Sequence, residues 1–343
     1  MKKKIVFAGG GTAGHVMPNL AIISALGSGY DCVYLGGDGM EKELCGKRSI
    51  PFYRVDAVKL RRDAFFKNFS VPFKLNKCVR EAKATLGELK PDLVFSKGGY
   101  AALPVVLAAK KLNIPVLAHE SDMTPGIVTK LSKRRAEKIL CAFEPCADRF
   151  KNGEYVGTPL DKKLYRGVSM PLDSCGKPVL LVMGGSSGAA TLNAAVVEAL
   201  PELLKTFFVV HLTGKNKDGA PPQVGYKSMS FCYDMPSLYA SIDVAVSRGG
   251  ANALSELIAL KIPTVCVPLE KASRGDQIQN AEYYKEKGAI EVVREAELAS
   301  LPAVVKKLYA NRMRYKEAMS KIHADGTDKI CKIIKEMLGA ANG

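Results

Sequence analysis

Four glycine-rich loops, each between a short apolar run and a helical apolar pattern, most constrain how this chain can fold. In chain order they read GGGTAG, SKGGYAA, MGGSSGAA and SRGGANALSE. Strand-like runs and helical patterns alternate through the rest of the sequence too, which is typical of parallel sheets covered by helices on both faces. The alternation restarts at KPVLLVMGG, after VGTPLDKKLYRGVSMPLDSCG. The sequence therefore predicts an α/β protein of two Rossmann-like domains, with parallel sheets facing across a cleft.

Length and composition agree with two globular domains. The 343 residues suffice for two cores, and no apolar run approaches the roughly 20 residues of a membrane-spanning helix. The nine cysteines form no C-x-x-C pair, so we expect reduced and mostly buried thiols rather than disulfides or a zinc site. These features predict a cytoplasmic location.

The net charge of +16 predicts an anionic partner. Much of the excess lies between Lys59 and Lys90, around the phenylalanines of FFKNFSVPF. Aromatic rings among cations are typical of a lipid interface, and the alternative is a buried aromatic cluster under a solvated basic rim. Because no recognition motif accompanies the charge, we expect no nucleic-acid binding.

The glycine loops indicate phosphate binding. Glycine lets the backbone adopt positive φ and approach a phosphate, and the following helix directs N–H groups at the anion. Gly9, Gly11 and Gly14 match the spacing of a dinucleotide-binding fingerprint, but neither Asp31 nor Asp38 fits the acidic position that this fingerprint needs. Several such loops therefore favour a diphosphate ligand other than a nicotinamide cofactor.

Polar residues in the second half suit a nucleotide sugar. Glu256 falls in the first turns of a predicted helix, where a carboxylate can accept hydrogen bonds from both ribose hydroxyls. Asp276, Gln277 and Asn280 suit sugar hydroxyls, and the alternative is helix capping in a solvated loop. No D-x-D motif occurs, so we do not expect the metal-bridged site of the other large glycosyltransferase architecture. Helix N-termini and cations would then stabilise a leaving diphosphate.

Six motifs occur in a family-specific order over essentially the whole chain: GGGTAGHVMPNLAI, SKGGY, HESD, GGSSGAATLN, RGGANALSE and RGDQIQNA. In this combination the sequence resembles the MurG family of peripheral membrane N-acetylglucosaminyltransferases. The resemblance implies a GT-B fold, with an acceptor- and membrane-binding domain at 1–158 and a UDP-GlcNAc-binding domain at 159–325. It also implies a C-terminal helix, 326–343, that packs back on the first domain.

The resemblance implies an inverting transfer of GlcNAc from UDP-GlcNAc to the C4 hydroxyl of MurNAc in undecaprenyl-linked lipid I, without a metal or other cofactor. The product is the β-1,4-linked lipid II. The donor-binding residues that it implies are Thr12, Ala13, Gly14, Asp122, Ser186, Cys232, Ala251, Asn252, Ala253, Leu254, Ser255, Glu256, Gln277 and Asn280. The acceptor-binding residues that it implies are Gly11, Asn19, Tyr100 and His119.

An inverting displacement needs a base that accepts the proton of the acceptor hydroxyl. Two residues are candidates for this catalytic role. His15 ends the first glycine loop, and its alternative role is a neutral histidine bonded to a loop carbonyl. Glu120, in HESD, follows a strand and is the second choice. His211 and His323 stand in no motif, so we expect structural roles for them.

Two positions depart from the family pattern. Asp122 stands where H-E-Q-N has its final amide, and a carboxylate cannot donate a hydrogen bond as that amide does. Asp161 stands where many relatives carry an arginine that contacts nucleotide or diphosphate. Arg248 or Arg274 is the hypothesised replacement for that charge.

The resemblance gives the basic aromatic segment a role at the cytoplasmic face of the cell membrane. The residues expected at that surface are Arg61, Arg62, Phe65, Phe66, Lys67 and Phe69, together with Lys59. Other cell-wall synthesis proteins are possible partners. Three further functions stay open: a glycolipid synthase that adds a sugar to diacylglycerol, a sugar-nucleotide epimerase, and a sensor that binds without turnover.

Overall fold

The computed structural model describes residues 2–57, 71–185, 190–214, 219–271 and 275–339. The chain divides into two compact units. Unit 1 comprises residues 1–161 with the C-terminal segment 326–343, and unit 2 comprises residues 162–325. The boundary that we place after residue 158 from the sequence lies close to this division.

Unit 1 is built on a seven-stranded parallel sheet of order β3-β2-β1-β4-β5-β6-β7. Its strands are β1 Lys4–Ala8, β2 Asp31–Gly36, β3 Phe52–Arg54, β4 Leu93–Ser96, β5 Val116–Glu120, β6 Lys138–Cys141 and β7 Gly153–Tyr155. β1, β4 and β5 are adjacent and parallel, so the loops after them lie together at one edge of the sheet.

The helices of unit 1 cover this sheet. They are α1 Ala13–Leu26, α2 Met40–Gly46, α3 Val71–Leu89, α4 Ala102–Lys111, α5 Ile127–Ser132, α6 Glu144–Ala147 and, from the chain end, α13 Thr327–Met337. Ile330 and Ile334 of α13 are fully buried in the same apolar cluster as Phe7 and Phe95 of the sheet. The Thr327 hydroxyl also bonds the backbone N–H and carbonyl of Leu160. The C-terminal helix is therefore part of the core of unit 1.

Unit 2 repeats the same architecture. Its six parallel strands have the order β10-β9-β8-β11-β12-β13. They are β8 Val179–Met183, β9 Phe208–Leu212, β10 Tyr226–Met229, β11 Val244–Ser247, β12 Thr264–Cys266 and β13 Ile290–Val292. The helices are α7 Ala190–Leu203, α8 Met235–Ala240, α9 Ala251–Ala259, α10 Asp276–Glu286, α11 Leu301–Ala310 and α12 Arg312–Ser320.

Apolar clusters lie on both faces of the second sheet. One joins Leu180 and Val182 to α7 and α11, and the other joins Leu181 and Val179 to α8 and α9. The predicted α/β class with parallel sheets is thus confirmed in both units. The cysteines of the described residues are free thiols. In the same ranges, no helix has the length and apolar character to cross a bilayer.

Candidate active site

The first glycine loop connects β1 to α1 in unit 1. Gly11 has a φ of +89°, a left-handed conformation that favours glycine. Behind the loop, a Cβ added to Gly10 would lie 2.3 Å from Oε1 of Glu41, a buried residue that the sequence analysis missed. Gly11 and Thr12 are exposed, and Ala13 begins α1. The loop therefore offers backbone groups and the start of a helix to a ligand.

The loop after β4 packs directly on the first loop. Gly98 and Gly99 have φ values of +79° and +78°. A Cβ added to Gly99 would lie 2.6 Å from the Gly10 carbonyl oxygen and 3.1 Å from Cδ2 of His15. Tyr100, which follows, is 37% exposed. Glycine at position 99 therefore allows two loop backbones to touch beside His15.

His15 is held by a backbone carbonyl. Its Nδ1 lies 3.1 Å from the Lys97 carbonyl oxygen. A carbonyl only accepts, so Nδ1 of His15 carries a proton. The carbonyl bond that is the alternative role of His15 is therefore present, and it fixes the orientation of the ring.

Asn19 lies beneath the first loop and is fully buried. Its Nδ2 donates to the Ala8 carbonyl oxygen at 3.3 Å and to the Tyr34 hydroxyl at 3.2 Å. The side chain predicted to bind the acceptor thus supports the strand end from which the loop departs.

Lys97, the lysine of SKGGY, is a buried cation that the sequence patterns did not indicate as a site residue. It is 2% exposed, its N–H donates to the Ala8 carbonyl oxygen at 2.9 Å, and its Nζ donates to the Ser121 hydroxyl. Burial lowers the pKa of Lys97 to about 8, against the opposing effect of Glu120 and Asp122. A lysine directly after a buried strand was the signal that could have found it.

Glu120 ends β5 and holds the loop that follows. Its Oε2 accepts from the Thr129 hydroxyl at 2.6 Å and the Gly126 N–H at 2.8 Å, and its Oε1 accepts from the Asp122 N–H at 3.2 Å. Burial, followed by the charge of Asp122, raises the pKa of Glu120. Both carboxylate oxygens are therefore engaged within unit 1.

His119 points into the interior of unit 1. It is 1% exposed, and its Nε2 donates to the Gly157 carbonyl oxygen at 2.9 Å. Burial and the charge of Lys97 hold its pKa well below the usual value. The ring is therefore neutral.

Asp161, one of the two departures, lies in unit 1 with its Oδ2 3.7 Å from Nη2 of Arg48. Arg248, the first of the two hypothesised replacements for the missing arginine charge, is paired within unit 2. Arg248 is 5% exposed, its Nη1 lies 2.8 Å from Oε1 of Glu295, and it also donates to the Val267 carbonyl oxygen. The guanidinium is already neutralised inside unit 2. Arg274 lies outside the described residues.

In unit 2, the fourth glycine loop connects β11 to α9, on which Glu256 lies. Glu256 is partly buried, and its Oε2 accepts from the Tyr239 hydroxyl at 2.8 Å. Burial raises the pKa of Glu256 to about 7, and the Tyr239 bond opposes that rise. Glu256 therefore retains one carboxylate oxygen that Tyr239 does not use.

Gln277 and Asn280 of α10 fix the same loop. Gln277 Oε1 accepts from the N–H groups of Gly249 at 3.2 Å and Leu269 at 3.0 Å, and Asn280 Nδ2 donates to the Gly249 carbonyl oxygen at 3.2 Å. A Cβ added to Gly249 would lie 2.4 Å from the Gln277 carbonyl oxygen. Asn280 is fully buried, and its side chain holds the Gly249 loop.

The remaining donor-side residues differ in accessibility. Ala251, Leu254, Ser255 and Cys232 are buried, while Asn252 and Ala253 are partly exposed. The Leu254 N–H bonds the Gly250 carbonyl oxygen within α9, so residues 251–253 form the first turn of the helix. Ser186 and the predicted membrane residues Arg61, Arg62, Phe65, Phe66, Lys67 and Phe69 lie outside the described residues.

Two family models match the chain. The glycosyltransferase family 28 N-terminal domain matches residues 5–141, and the glycosyltransferase family 28 C-terminal domain matches residues 179–336. The chain therefore belongs to glycosyltransferase family 28. With two parallel-sheet α/β units, it has the GT-B architecture that the resemblance implies.

Named relatives are similar to the chain over nearly its full length. A Lachnospira eligens protein, 45% identical over 97% of this chain and 99% of its own length, is named UDP-N-acetylglucosamine–N-acetylmuramyl-(pentapeptide) pyrophosphoryl-undecaprenol N-acetylglucosamine transferase. A Lachnoclostridium phytofermentans protein of the same name is 44% identical over 98% of this chain and 99% of its own length. The crystal structure of Acinetobacter baumannii MurG is 26% identical, with a TM-score of 0.75 over 97% of this chain and 99% of that one. The resemblance to the MurG family is thereby confirmed.

The contact between the first two loops predicts a strong effect of Gly99→Ala. The new Cβ meets the Gly10 carbonyl oxygen, and the left-handed conformation alone costs an alanine at least about 1 kcal/mol. We expect lower stability in chemical denaturation and a loss of transferase activity. The control is Gly87→Ala in α3, where a Cβ meets nothing within 4 Å and alanine favours the helix. Equal behaviour of the two variants would contradict the packing argument.

The raised pKa of Glu256 predicts a pH-dependent gain in stability for Glu256→Gln. In the folded chain the carboxyl titrates at about 7 rather than 4.5, so ionisation destabilises the wild type increasingly as the pH rises between these values. The variant lacks this loss, which amounts to at most on the order of 3 kcal/mol above the folded pKa. We expect its melting temperature, relative to wild type, to rise between about pH 5 and pH 8.

The control for that comparison is Glu317→Gln. An ion pair with Lys321 lowers the pKa of Glu317, so this variant should gain nothing over the same pH interval. A constant difference between Glu256→Gln and wild type would show that Glu256 titrates normally.

Proposed function

We propose that this chain transfers GlcNAc from UDP-GlcNAc to the C4 hydroxyl of MurNAc in undecaprenyl-pyrophosphoryl-MurNAc-pentapeptide, forming lipid II with inversion. The observation that carries the proposal is the 45% identity, over nearly the full length of both chains, with a relative named for this transfer. The glycine loops and buried polar groups of both units supply the chemistry that the reaction needs.

Unit 2 is proposed to bind the donor. The start of α9, from Ala251 to Ala253, offers N–H groups and the positive end of a helix dipole to the diphosphate. Glu256 accepts hydrogen bonds from the ribose hydroxyls through the oxygen that Tyr239 leaves available. Cys232 contributes an apolar surface to the uracil, since burial keeps its thiol protonated by raising its pKa.

Gln277 and Asn280 are proposed to face the GlcNAc hydroxyls while they hold the Gly249 loop. The Oε1 atom of Gln277 is engaged by two backbone N–H groups, so its amide N–H₂ is the group that it offers to the sugar.

Unit 1 is proposed to bind the acceptor, with His15 as the general base. Its Nδ1–H is fixed on the Lys97 carbonyl, which presents Nε2 as the proton acceptor for the C4 hydroxyl. As the sugar leaves UDP, the acceptor oxygen bonds to the anomeric carbon and its proton passes to His15. Glu120 serves as a positioning residue, because both of its oxygens hold the loop from Asp122 to Thr129.

Contact with an anionic membrane surface is proposed for the outer helices of unit 1. Phe73 on α3 is 80% exposed, and Leu131 on α5 is 42% exposed. A shallow groove beside Leu131 is lined by Lys110, Lys130, Lys133, Arg134 and Arg135. Apolar side chains among cations suit a bilayer headgroup region.

Transfer of radiolabelled GlcNAc to a short-chain lipid I analogue tests the proposed reaction. We expect product with the wild type, and a fall in kcat of about 10²- to 10⁴-fold for His15→Ala with unchanged UDP affinity. His323→Ala is the control, because this exposed histidine lies in unit 2 outside every motif. Product with diacylglycerol but not with lipid I would overturn the function. A near-normal kcat for His15→Ala would show that His15 is not the base.

Co-sedimentation with vesicles containing anionic lipid tests the membrane contact. We expect Lys130→Glu, Lys133→Glu and Arg134→Glu, made together, to weaken binding at least tenfold, since each cation contributes about 1 kcal/mol near such a surface. The matched control replaces Lys227, Lys261 and Lys307 of unit 2 by glutamate, with the same change in net charge. If both triple variants lose the same affinity for the vesicles, the loss reflects net charge rather than this surface. If neither variant loses affinity, the proposed membrane surface is wrong.

A further inference from the structure

Tyr239 is a buried tyrosine to which the proposed function gives no role. It lies on α8 with 4% of its surface exposed, in the apolar cluster that contains Cys232 and Leu257. Its hydroxyl donates to Glu256 Oε2 at 2.8 Å and lies 3.8 Å from Sδ of Met183, the last residue of β8. One side chain thus contacts the strand before the third glycine loop and the helix after the fourth.

The hydroxyl engages the carboxylate from the interior of unit 2. Within the described residues, Tyr239 is the one hydrogen-bond donor to Glu256. A partly buried carboxylate with one donor retains accepting capacity on its second oxygen, where two neighbouring hydroxyls of a ribose can bind. The bond also restricts the Glu256 side chain, which otherwise has three rotatable bonds and loses their freedom when a ligand binds.

We propose that Tyr239 is a positioning residue for the nucleotide: its hydroxyl holds Glu256 in the orientation that accepts the ribose hydroxyls. The inference rests on the proposed function, which assigns Glu256 to the ribose. It predicts that the Tyr239 hydroxyl contributes to binding only when the ligand carries the ribose hydroxyls.

A purely structural role for Tyr239 makes a different prediction. Phenylalanine fills the same volume in an apolar cluster, so loss of the hydroxyl would then change folding stability without regard to the ligand. The chain offers a matched pair: Tyr315 on α12 is 5% exposed, and its hydroxyl donates to Oε1 of Glu291 on β13 at 2.5 Å. Tyr315→Phe therefore removes the same chemical contact from the same unit.

Calorimetric titration with UDP and with 2′,3′-dideoxy-UDP separates the two roles. The proteins are wild type, Tyr239→Phe, Glu256→Gln and Tyr315→Phe, each checked for cooperative thermal unfolding. We expect Tyr239→Phe to weaken UDP binding up to about tenfold, because the ligand must then order the Glu256 side chain, and dideoxy-UDP binding less than about twofold. In the transferase assay, the KM for UDP-GlcNAc should rise up to about tenfold with kcat nearly unchanged. Tyr315→Phe should change neither affinity.

Every other outcome contradicts the positioning role, the ribose assignment or the proposed function. If Tyr239→Phe binds UDP as the wild type does, or loses affinity for both nucleotides equally, the positioning role is wrong while the donor site stands. If the wild type and Glu256→Gln bind UDP and dideoxy-UDP alike, the ribose assignment fails and the positioning role fails with it. If the wild type binds no UDP, the proposed function itself is wrong.

Discussion

Close backbone contact at the carboxyl ends of the strands is the constraint on which both units depend. In unit 1 an added Cβ at Gly99 would lie 2.6 Å from the Gly10 carbonyl oxygen, and in unit 2 one at Gly249 would lie 2.4 Å from the Gln277 carbonyl oxygen. Side chains at these positions would push the loops apart. Without them, the starts of α1 and α9 lie at the edges of their sheets, where N–H groups and helix dipoles meet anions. The phosphate-binding role proposed for these loops therefore depends on how adjacent strands end.

The buried ionisable groups have different partners in the two units. In unit 1 the Lys97 ammonium lies near two carboxylates, and burial lowers the pKa of Lys97 while it raises that of Glu120. In unit 2 the neutral hydroxyl of Tyr239 is bonded to Glu256, whose pKa rises to about 7. Burial of a carboxylate without a cation costs stability, and such a cost is tolerated where the group serves a ligand.

The interior of each sheet could be predicted from the sequence, and its edges could not. Continuous apolar runs such as LVFS and VLLVM mark strands buried on both faces, and the structure places both in sheet interiors. The four edge strands, β3, β7, β10 and β13, contain no such run. They have three or four residues each, and most of those residues are at least partly exposed. A short strand with one neighbour carries neither a long apolar run nor a strict alternation.

Side-chain direction at the site was the least predictable feature, because it depends on partners distant in the sequence. From the motif RGGANALSE, Arg248 is expected as a cation beside a glycine loop. In the structure its guanidinium is buried and paired with Glu295, which lies 47 residues later in the chain. Gln277 and Asn280 likewise bond the Gly249 loop, so their presence in the motif is explained by loop architecture before any ligand binds. Under the proposed function, these two residues hold the loop and also face the GlcNAc. A loss of activity on substituting them therefore does not identify a ligand contact, and only a comparison of ligands that differ in one group separates the two roles.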